Sequence, residues 1–522
     1  MIADLAPLAP MLALAVTVLV IVVTGWTVRD PRVAPGIAGV GLAISALLAW
    51  RGFGALRPGR AIEAFPRQVN LPDGTAAQAA LVRVDAFGLF VVVVLALIGL
   101  IVVLLGADYV ARLALGSADY HALVLVALLA MMLLAVAGDL MLVFLAIETF
   151  SLALYMLCAF RRGDRFGHEA AFKYFLLGAF SAGFLLYGVA LAYAATGTTD
   201  LVLIGAALGT DAGAGPVALA GLGLLLVGLS FKIAAAPFHQ WTPDVYAGAP
   251  LPVTALMAAG TKLAAFAVLI RVLATAFAAQ SDLWVPLLAA LAVVTMVVGN
   301  LAALVQADVK RMLGYSAVAH AGYVLVAVVA GAVEPAWRWT ALFYLVVYAA
   351  TNLGAFAVLA GIGAIGPSGR DAALLDDLRG LWRRQPWLAA ALALFLFSLT
   401  GLPPTAGFLA KWYVFQAAVG SGYLWLAVVL VLNSAASAFY YLRPVALMAM
   451  AEPEDASAIE VATPAAVAVA TMATVVGLAL FLAGPLVDGA RAGADRAARH
   501  GPPPTVAQDE GPETAAGVAA AR

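Results

Sequence analysis

Long apolar runs, each cut off by charge, proline or glycine, recur along the whole chain. A helix needs roughly 20 apolar residues to cross about 30 Å of hydrocarbon. By that length the pattern predicts about 14 transmembrane helices, at approximately 8–25, 36–50, 86–106, 121–137, 140–160, 170–194, 216–236, 250–276, 283–304, 312–332, 338–363, 387–418, 422–446 and 461–487. The runs at 36–50 and 121–137 are the shortest. A transmembrane β-barrel would need short segments alternating apolar and polar residues, and the uninterrupted runs here do not fit one. The predicted fold class is an all-α polytopic membrane protein. Beyond Pro485 the tail is Ala, Arg, Pro and Glu without periodicity, and 488–522 is expected to be disordered.

Two of the runs are interrupted. The seventh has Pro237 about a turn and a half beyond Lys232, and the twelfth has Gly401, Pro403, Pro404 and Gly407 ahead of Lys411. Paired Gly/Pro-broken spans, each with an ionisable residue, point to an inverted-repeat transporter core with discontinuous helices 7 and 12. Lysine precedes proline in one and follows it in the other, so the correspondence is between helices and not between residues.

Composition narrows the function. At 65% hydrophobic and 11% charged residues, the 522-residue chain cannot cover a soluble domain. A net charge of -1 gives no sign of nucleic acid. One cysteine, Cys158, and five histidines exclude a cysteine-ligated iron-sulfur cluster and leave few haem ligands, so redox chemistry is expected on other chains. No G-x-x-x-x-G-K-[ST] loop offers ATP as an energy source. The start, MIADLAP, lacks the basic region of a cleaved signal, which predicts a retained first helix. Arg29, Arg32, Arg161, Arg162, Arg165, Lys310, Arg311, Arg370, Arg379, Arg383 and Arg384 fall on one side of the predicted topology, which puts both termini outside the cytoplasm. The 51–84 loop, with five arginines on the other side, dissents.

A lysine at bilayer depth costs about 2.5 to 3.5 kcal/mol even on a lenient scale, so intramembrane charge marks a functional site by default. Lys232, Lys262 and Lys411 lie in such segments with no acid four residues away. Glu148 sits mid-helix, with Ser151 and Tyr155 on the same face, and competes with a packing role as a neutral acid. Asp139 follows Gly138 at a helix start and is expected to be an N-cap. Lys173, counted among the candidate site residues, has Glu169 four residues before it, where an interfacial, snorkelling ion pair is as plausible as function. Ser316, His320 and Tyr323 share a face, as do Tyr344, Tyr348 and Asn352; His239 lies near a loop. A buried ammonium loses its proton more readily, and a nearby carboxylate restores it. Glu148 with Lys232 would then be a switch, Lys262 and His320 a relay, and Lys411 the exit or entry.

The stretches ETFSLALYMLCAFRR around Glu148, KYFLLGAFSAGFLLYG from Lys173, FKIAAAPFHQWTPDVYAGAP from Lys232, the Lys262 helix, VKRMLGYSAVAHAGY from Lys310 and GLPPTAGFLAKW ending at Lys411 cover most of 120–445. With them the chain resembles the antiporter-like subunits of respiratory complex I, the proton-translocating NADH:quinone oxidoreductase, and within these the subunit N family. The resemblance implies 14 helices with two inverted five-helix repeats: N-terminal helices at 1–120, repeats at 121–276 and 277–446, and a C-terminal helix at 447–487. It implies one proton pathway through Glu148, Lys232, Lys262, His320 and Lys411. It also implies a bacterial inner-membrane location, partnership with antiporter-like subunit M and the small membrane subunits, and NADH, FMN, iron-sulfur clusters and quinone held on other subunits. Subunit M would carry glutamate at the position of Lys411, and subunit L a long lateral helix after the bundle. IET stands here where the motif more often reads LEL or LEM. The alternative reading is an Mrp-type cation/proton antiporter subunit; a purely structural scaffold is disfavoured by the cost of so many buried charges.

Overall fold

The structure, a computed structural model, describes residues 5–497 except residues 58, 72, 73 and 75 and the stretches 210–213, 364–370, 372–373 and 454–458. Among the described residues, 12 helices are long and apolar enough to cross a membrane, with two shorter apolar helices at Pro386–Thr400 and Thr463–Gly477. The chain is thus a multi-pass helical membrane protein. In order the main helices are α1 (Ala9–Thr27), α2 (Val33–Ala55), α3 (Ala86–Arg112), α4 (Ser117–Ala135), α5 (Leu140–Cys158), α6 (Arg165–Thr196), α7 (Leu201–Leu208), α8 (Pro216–Ile233) and α9 (Trp241–Gly248). Then follow α10 (Leu251–Thr275, with a π-helical turn at Met257–Thr261), α11 (Ser281–Leu304), α12 (Val309–Val333), α13 (Trp339–Ile362), α14 (Pro386–Thr400), α15 (Ala406–Gly420), α16 (Leu424–Met450), α17 (Thr463–Gly477) and α18 (Ala479–Ala497).

Aspartates set the helix starts. Asp85, Asp139, Asp164, Asp200 and Asp308 each accept a backbone N–H from the first turn of α3, α5, α6, α7 and α12, so donors that the helix leaves open are filled by side chains. The N-cap expected of Asp139 is present, with Met141 N at 2.8 Å. Helices α10, α12 and α13 are buried along nearly their whole length, whereas α1, α2, α6 and α16 bury about a third of theirs. Of the candidates, Lys262 and His320 sit on two of these inner helices.

The structure corrects three expectations. The fold is not all-α: residues of the 51–84 loop form an antiparallel hairpin of β1 (Ile62–Asn70) and β2 (Ala76–Val84). Two of its five arginines are paired with acids. Arg83 forks onto Asp200 at 2.8 and 3.0 Å and reaches Glu63 at 3.0 Å, and Arg67 pairs with Asp139. Pairing two of the five weakens the dissent from the positive-side pattern without removing it. Second, the single C-terminal span at 461–487 is two helices, α17 and α18. Third, α18 runs on to Ala497, past the start of the stretch expected to be disordered; residues 498–522 lie outside the described residues.

A second buried pair stands beside the hairpin. Arg271 on α10 holds both oxygens of Asp85, at 2.7 and 3.0 Å, and donates to the Ala135 carbonyl. Such pairs offset their own desolvation only when geometry and remaining hydrogen bonds are good, and removing one partner costs about 3 to 5 kcal/mol.

Candidate functional site

Helix α8 stops where Ala234 turns left-handed (φ 58°) and Pro237 follows. A break at this depth leaves backbone groups that lipid cannot satisfy, so protein must. Trp241 Nε1 donates to the Phe231 carbonyl at 3.1 Å, and Ala236 N donates to Thr295 Oγ1 at 3.1 Å. The Ile233 carbonyl is taken by Lys262 Nζ at 2.9 Å, and the same ammonium donates to the Ala317 carbonyl of α12 at 2.6 Å. The partial negative charge of a helix C-terminus is a natural seat for a cation. The π turn just before Lys262 adds a residue to its helix, which rotates the ammonium by about 100° relative to a regular helix.

Lys232, next to Ile233 in sequence, points the other way. Its Nζ donates to Ser151 Oγ at 2.9 Å, and Glu148 Oε1 lies 4.0 Å from it. Glu148 Oε1 has no hydrogen-bond partner. The pair is therefore open: the serine, whose own proton goes to the Ile147 carbonyl, presents a lone pair where a closed ion pair would present the carboxylate.

The twelfth predicted span breaks between α14 and α15, at Gly401 (φ 86°), Pro403 and Pro404. Here Lys411 folds back on its own break. Its Nζ donates to the Leu399 carbonyl at 2.9 Å, the Thr400 carbonyl at 2.8 Å and Ser434 Oγ of α16 at 2.8 Å. The return leg fits closely, since a Cβ on Gly407 would lie 1.7 Å from the Ser398 carbonyl.

His320 of α12 stands between the two breaks. Its Nδ1 meets Tyr344 Oη at 2.8 Å and its Nε2 meets Tyr441 Oη at 3.0 Å, and Tyr441 also bonds Ser316. Ala317, whose carbonyl Lys262 holds, lies one turn earlier on the same helix. On the other side His320 and Lys411 line one cavity of about 10 Å³, together with Tyr348 and Ser398. That is about the size of a single water.

Lys173 is apart from this row. Its side chain is 41% exposed and lies 2.8 Å from both Glu169 and Asp244, with Arg311 on the other oxygen of Asp244. The expected pairing with Glu169 is present. Asp244, which the sequence reading passed over, is the centre of the cluster. Burial by itself would raise its carboxyl; the hydrogen bonds from Lys173 and Arg311 outweigh that and hold it below the ordinary carboxylate value. An aspartate set among the prolines of TPDVYAGAP was the signal to notice. Tyr441 and Ser434 were also missed; both face inward from the mostly polar stretch NSAASAFYYLR of α16. His239 contributes no hydrogen bond to the row and packs its ring 6.4 Å from that of Tyr315.

Residues 137–437 match the family model described as the transmembrane region of NADH:quinone oxidoreductase and the Mrp antiporter. NADH-quinone oxidoreductase subunit N of Chloroflexus aggregans is 47% identical over 379 residues, 72% of this chain and 76% of that protein. A chain in the structure of respiratory complex I from Thermus thermophilus with bound aureothin superposes with a TM-score of 0.75 at 37% identity, covering 92% of this chain and 98% of that one. A chain of the Mrp complex from Dietzia sp. DQ12-45-1b gives a TM-score of 0.79 over 96% of this chain and 98% of that one, but at 21% identity it speaks for the fold alone. Motifs, helix order and sequence relatives agree: this chain belongs to the subunit N family of the NADH-quinone oxidoreductases.

Proposed function

We propose that the chain is a proton-translocating subunit in the membrane arm of NADH:quinone oxidoreductase. Protons move through Glu148, Lys232, Lys262, His320 and Lys411. The observation that carries this reading is the seating of Lys262 and Lys411 on helix-end carbonyls at the two breaks, with His320 between them. Neutral acceptors let an ammonium lose its proton without leaving an orphaned acid behind. In the open state, Lys232 on Ser151 is free of Glu148; closing that 4.0 Å gap holds its proton, and opening it releases the proton toward Lys262.

On this reading the chain supplies no redox step. NADH, FMN, iron-sulfur clusters and quinone belong to other subunits of the complex, and the chain's partners in the membrane arm are antiporter-like subunit M and the small membrane subunits. The chain acts as an enzyme only within the assembled translocase. It lies in the bacterial inner membrane with both termini on the periplasmic side, and its core comprises two inverted five-helix repeats at 121–276 and 277–446. Moving one charge against 100 mV costs about 2.3 kcal/mol, which quinone reduction elsewhere supplies. Lys173 is assigned a place in the surface cluster with Asp244, at the rim of the pathway and not in it.

The fold shared with the Mrp chain favours a second reading, a cation/proton antiporter subunit. Lys232→Ala in native membranes separates the two. Loss of NADH-driven quinone reduction together with pumping supports the first; unchanged quinone reduction with lost sodium/proton exchange supports the second.

A further inference from the structure

Away from the row, on the face that carries Arg161 and Arg311, a further buried charge pair is left unused by the pathway. Lys310, at the start of α12, is 2% exposed; its Nζ donates to the Ala249 carbonyl and lies 3.5 Å from Asp371 Oδ2. Asp371 also accepts from Leu251 N at 3.1 Å and Tyr109 Oη at 3.3 Å. The carboxylate forms one wall of a cavity of about 110 Å³ between α3, α10 and α13, whose rim carries the half-exposed Arg112. A cavity of that size, lined by a carboxylate, a phenol and a guanidinium, holds several waters. A pair built only for stability would be shut; this one borders a chamber.

The inward side is also incomplete. Thr242 is fully buried and packs on Gly314, one turn along α12 from Lys310, and its Oγ1 has no partner. Buried hydroxyls are nearly always bonded, so this one leaves a donor and an acceptor free on the inward side of Lys310. From Lys310 to Ala317 along the helix is about 10 Å.

We propose that this cavity is an aqueous port, in which Asp371 exchanges protons with water and Lys310 hands them inward. The step balances. A hydronium ion in the cavity protonates the Asp371 carboxylate and leaves as water, which frees the Lys310 ammonium; Lys310 gives its proton, by way of a water at Thr242, to a deprotonated Lys262 and, now neutral, takes the proton from Asp371 across the 3.5 Å gap. One proton enters, one leaves inward, and the ionic pair is restored. The groups facing Asp371 are Tyr109 and the Asp108–Arg112 pair of α3, Tyr120 of α4 and Lys310 of α12, with Arg161 acting on Tyr109 from the α5–α6 turn and the buried Cys158 of α5 facing Lys310. The inward step rests on the proton-translocating reading above; the port itself does not.

Two measurements on the assembled complex in membrane vesicles test it. For Asp371→Asn, NADH-driven proton translocation falls several-fold, the loss deepens as pH rises and protons become scarce, and formate or azide, small weak acids that fit the cavity, restore it; Asp371→Glu stays near wild type. A loss equal at every pH and unrescued by either acid, or no loss at all, overturns the handing-on of protons and leaves a clamp. Independently, Leu113→Cys in a Cys158→Ser background places a thiol in the cavity wall with the pair intact. A small water-soluble thiol reagent labels it, and failure to label overturns the port. Labelling in a protein whose pumping is untouched by Lys232→Ala would sink the pathway while leaving the port.

Discussion

The two broken helices solve one problem in opposite ways. Each exposes carbonyls deep in the bundle, and each has an ammonium seated on them. At the α8 break the cation comes from a different helix, Lys262 of α10, while the break's own Lys232 looks away to Ser151 and Glu148. At the α14 break the cation is the break's own, Lys411, folded back from the next helix. The first break therefore shares its charges between two lysines, Lys262 on the carbonyls and Lys232 beside the carboxylate. The second gathers carbonyl support and titratable charge in Lys411 alone.

The largest expected effect breaks the first arrangement. Lys262→Ala removes the link between the Ile233 and Ala317 carbonyls, and proton pumping in reconstituted complex should fall by about 10²-fold or more, the scale of losing a proton-transfer group. A pump measured at near wild-type rates would discard the row.

The contrast between breaks is sharpened by Lys232→Ala against Lys411→Ala. Removing Lys232 leaves the α8 carbonyls still held by Lys262 and Trp241, so pumping should fall with no loss of thermal stability. Removing Lys411 strips the Leu399 carbonyl of its donor; pumping should fall and stability drop by about 1 to 3 kcal/mol, the cost of one buried orphan. Ser434 still donates to Thr400, which limits the damage to one carbonyl. Thermal unfolding of the two purified variants side by side reads the difference. A smaller effect is expected of Thr295→Val, which deprives Ala236 N of its acceptor: about 1 kcal/mol or more of stability, with pumping nearly intact.

The smallest concerns Asp244. Its carboxyl is held low by Lys173 and Arg311, so its contribution is complete above the unfolded carboxylate value, near pH 4, and is lost as pH falls through the lowered folded value. Because Lys173 is 41% exposed, solvent screening leaves at most about 1 kcal/mol. Asp244→Asn should therefore flatten the acid limb of the melting profile and change little at neutral pH.

The lysines of the row were legible because a charge in an apolar segment stands out and its cost demands an explanation. The breaks were legible through proline and glycine. The seats were not, since Ile233, Ala317 and Leu399 contribute only carbonyls, which no side-chain pattern reveals. The hairpin escaped for a different reason: Pro66 sits inside β1, a residue that demotes a run to an edge strand, and the acids that neutralise its arginines, Asp139 and Asp200, lie far along the chain. Asp371 and Lys310 were hidden likewise: nothing in the pattern singles out Asp371, and Lys310 stands there as a marker of sidedness.

Arg271 gives α10 a fixed anchorage. It is bolted to Asp85 nine residues beyond Lys262, while the loosely wound π turn lies just before that lysine. A rod pinned near one end and loosely wound near the other is held against sliding and gives most at the loose turn. The ammonium is thereby confined to short arcs between neighbouring acceptors, and the hairpin, tied to the same corner of the bundle, acts as ballast against longer excursions.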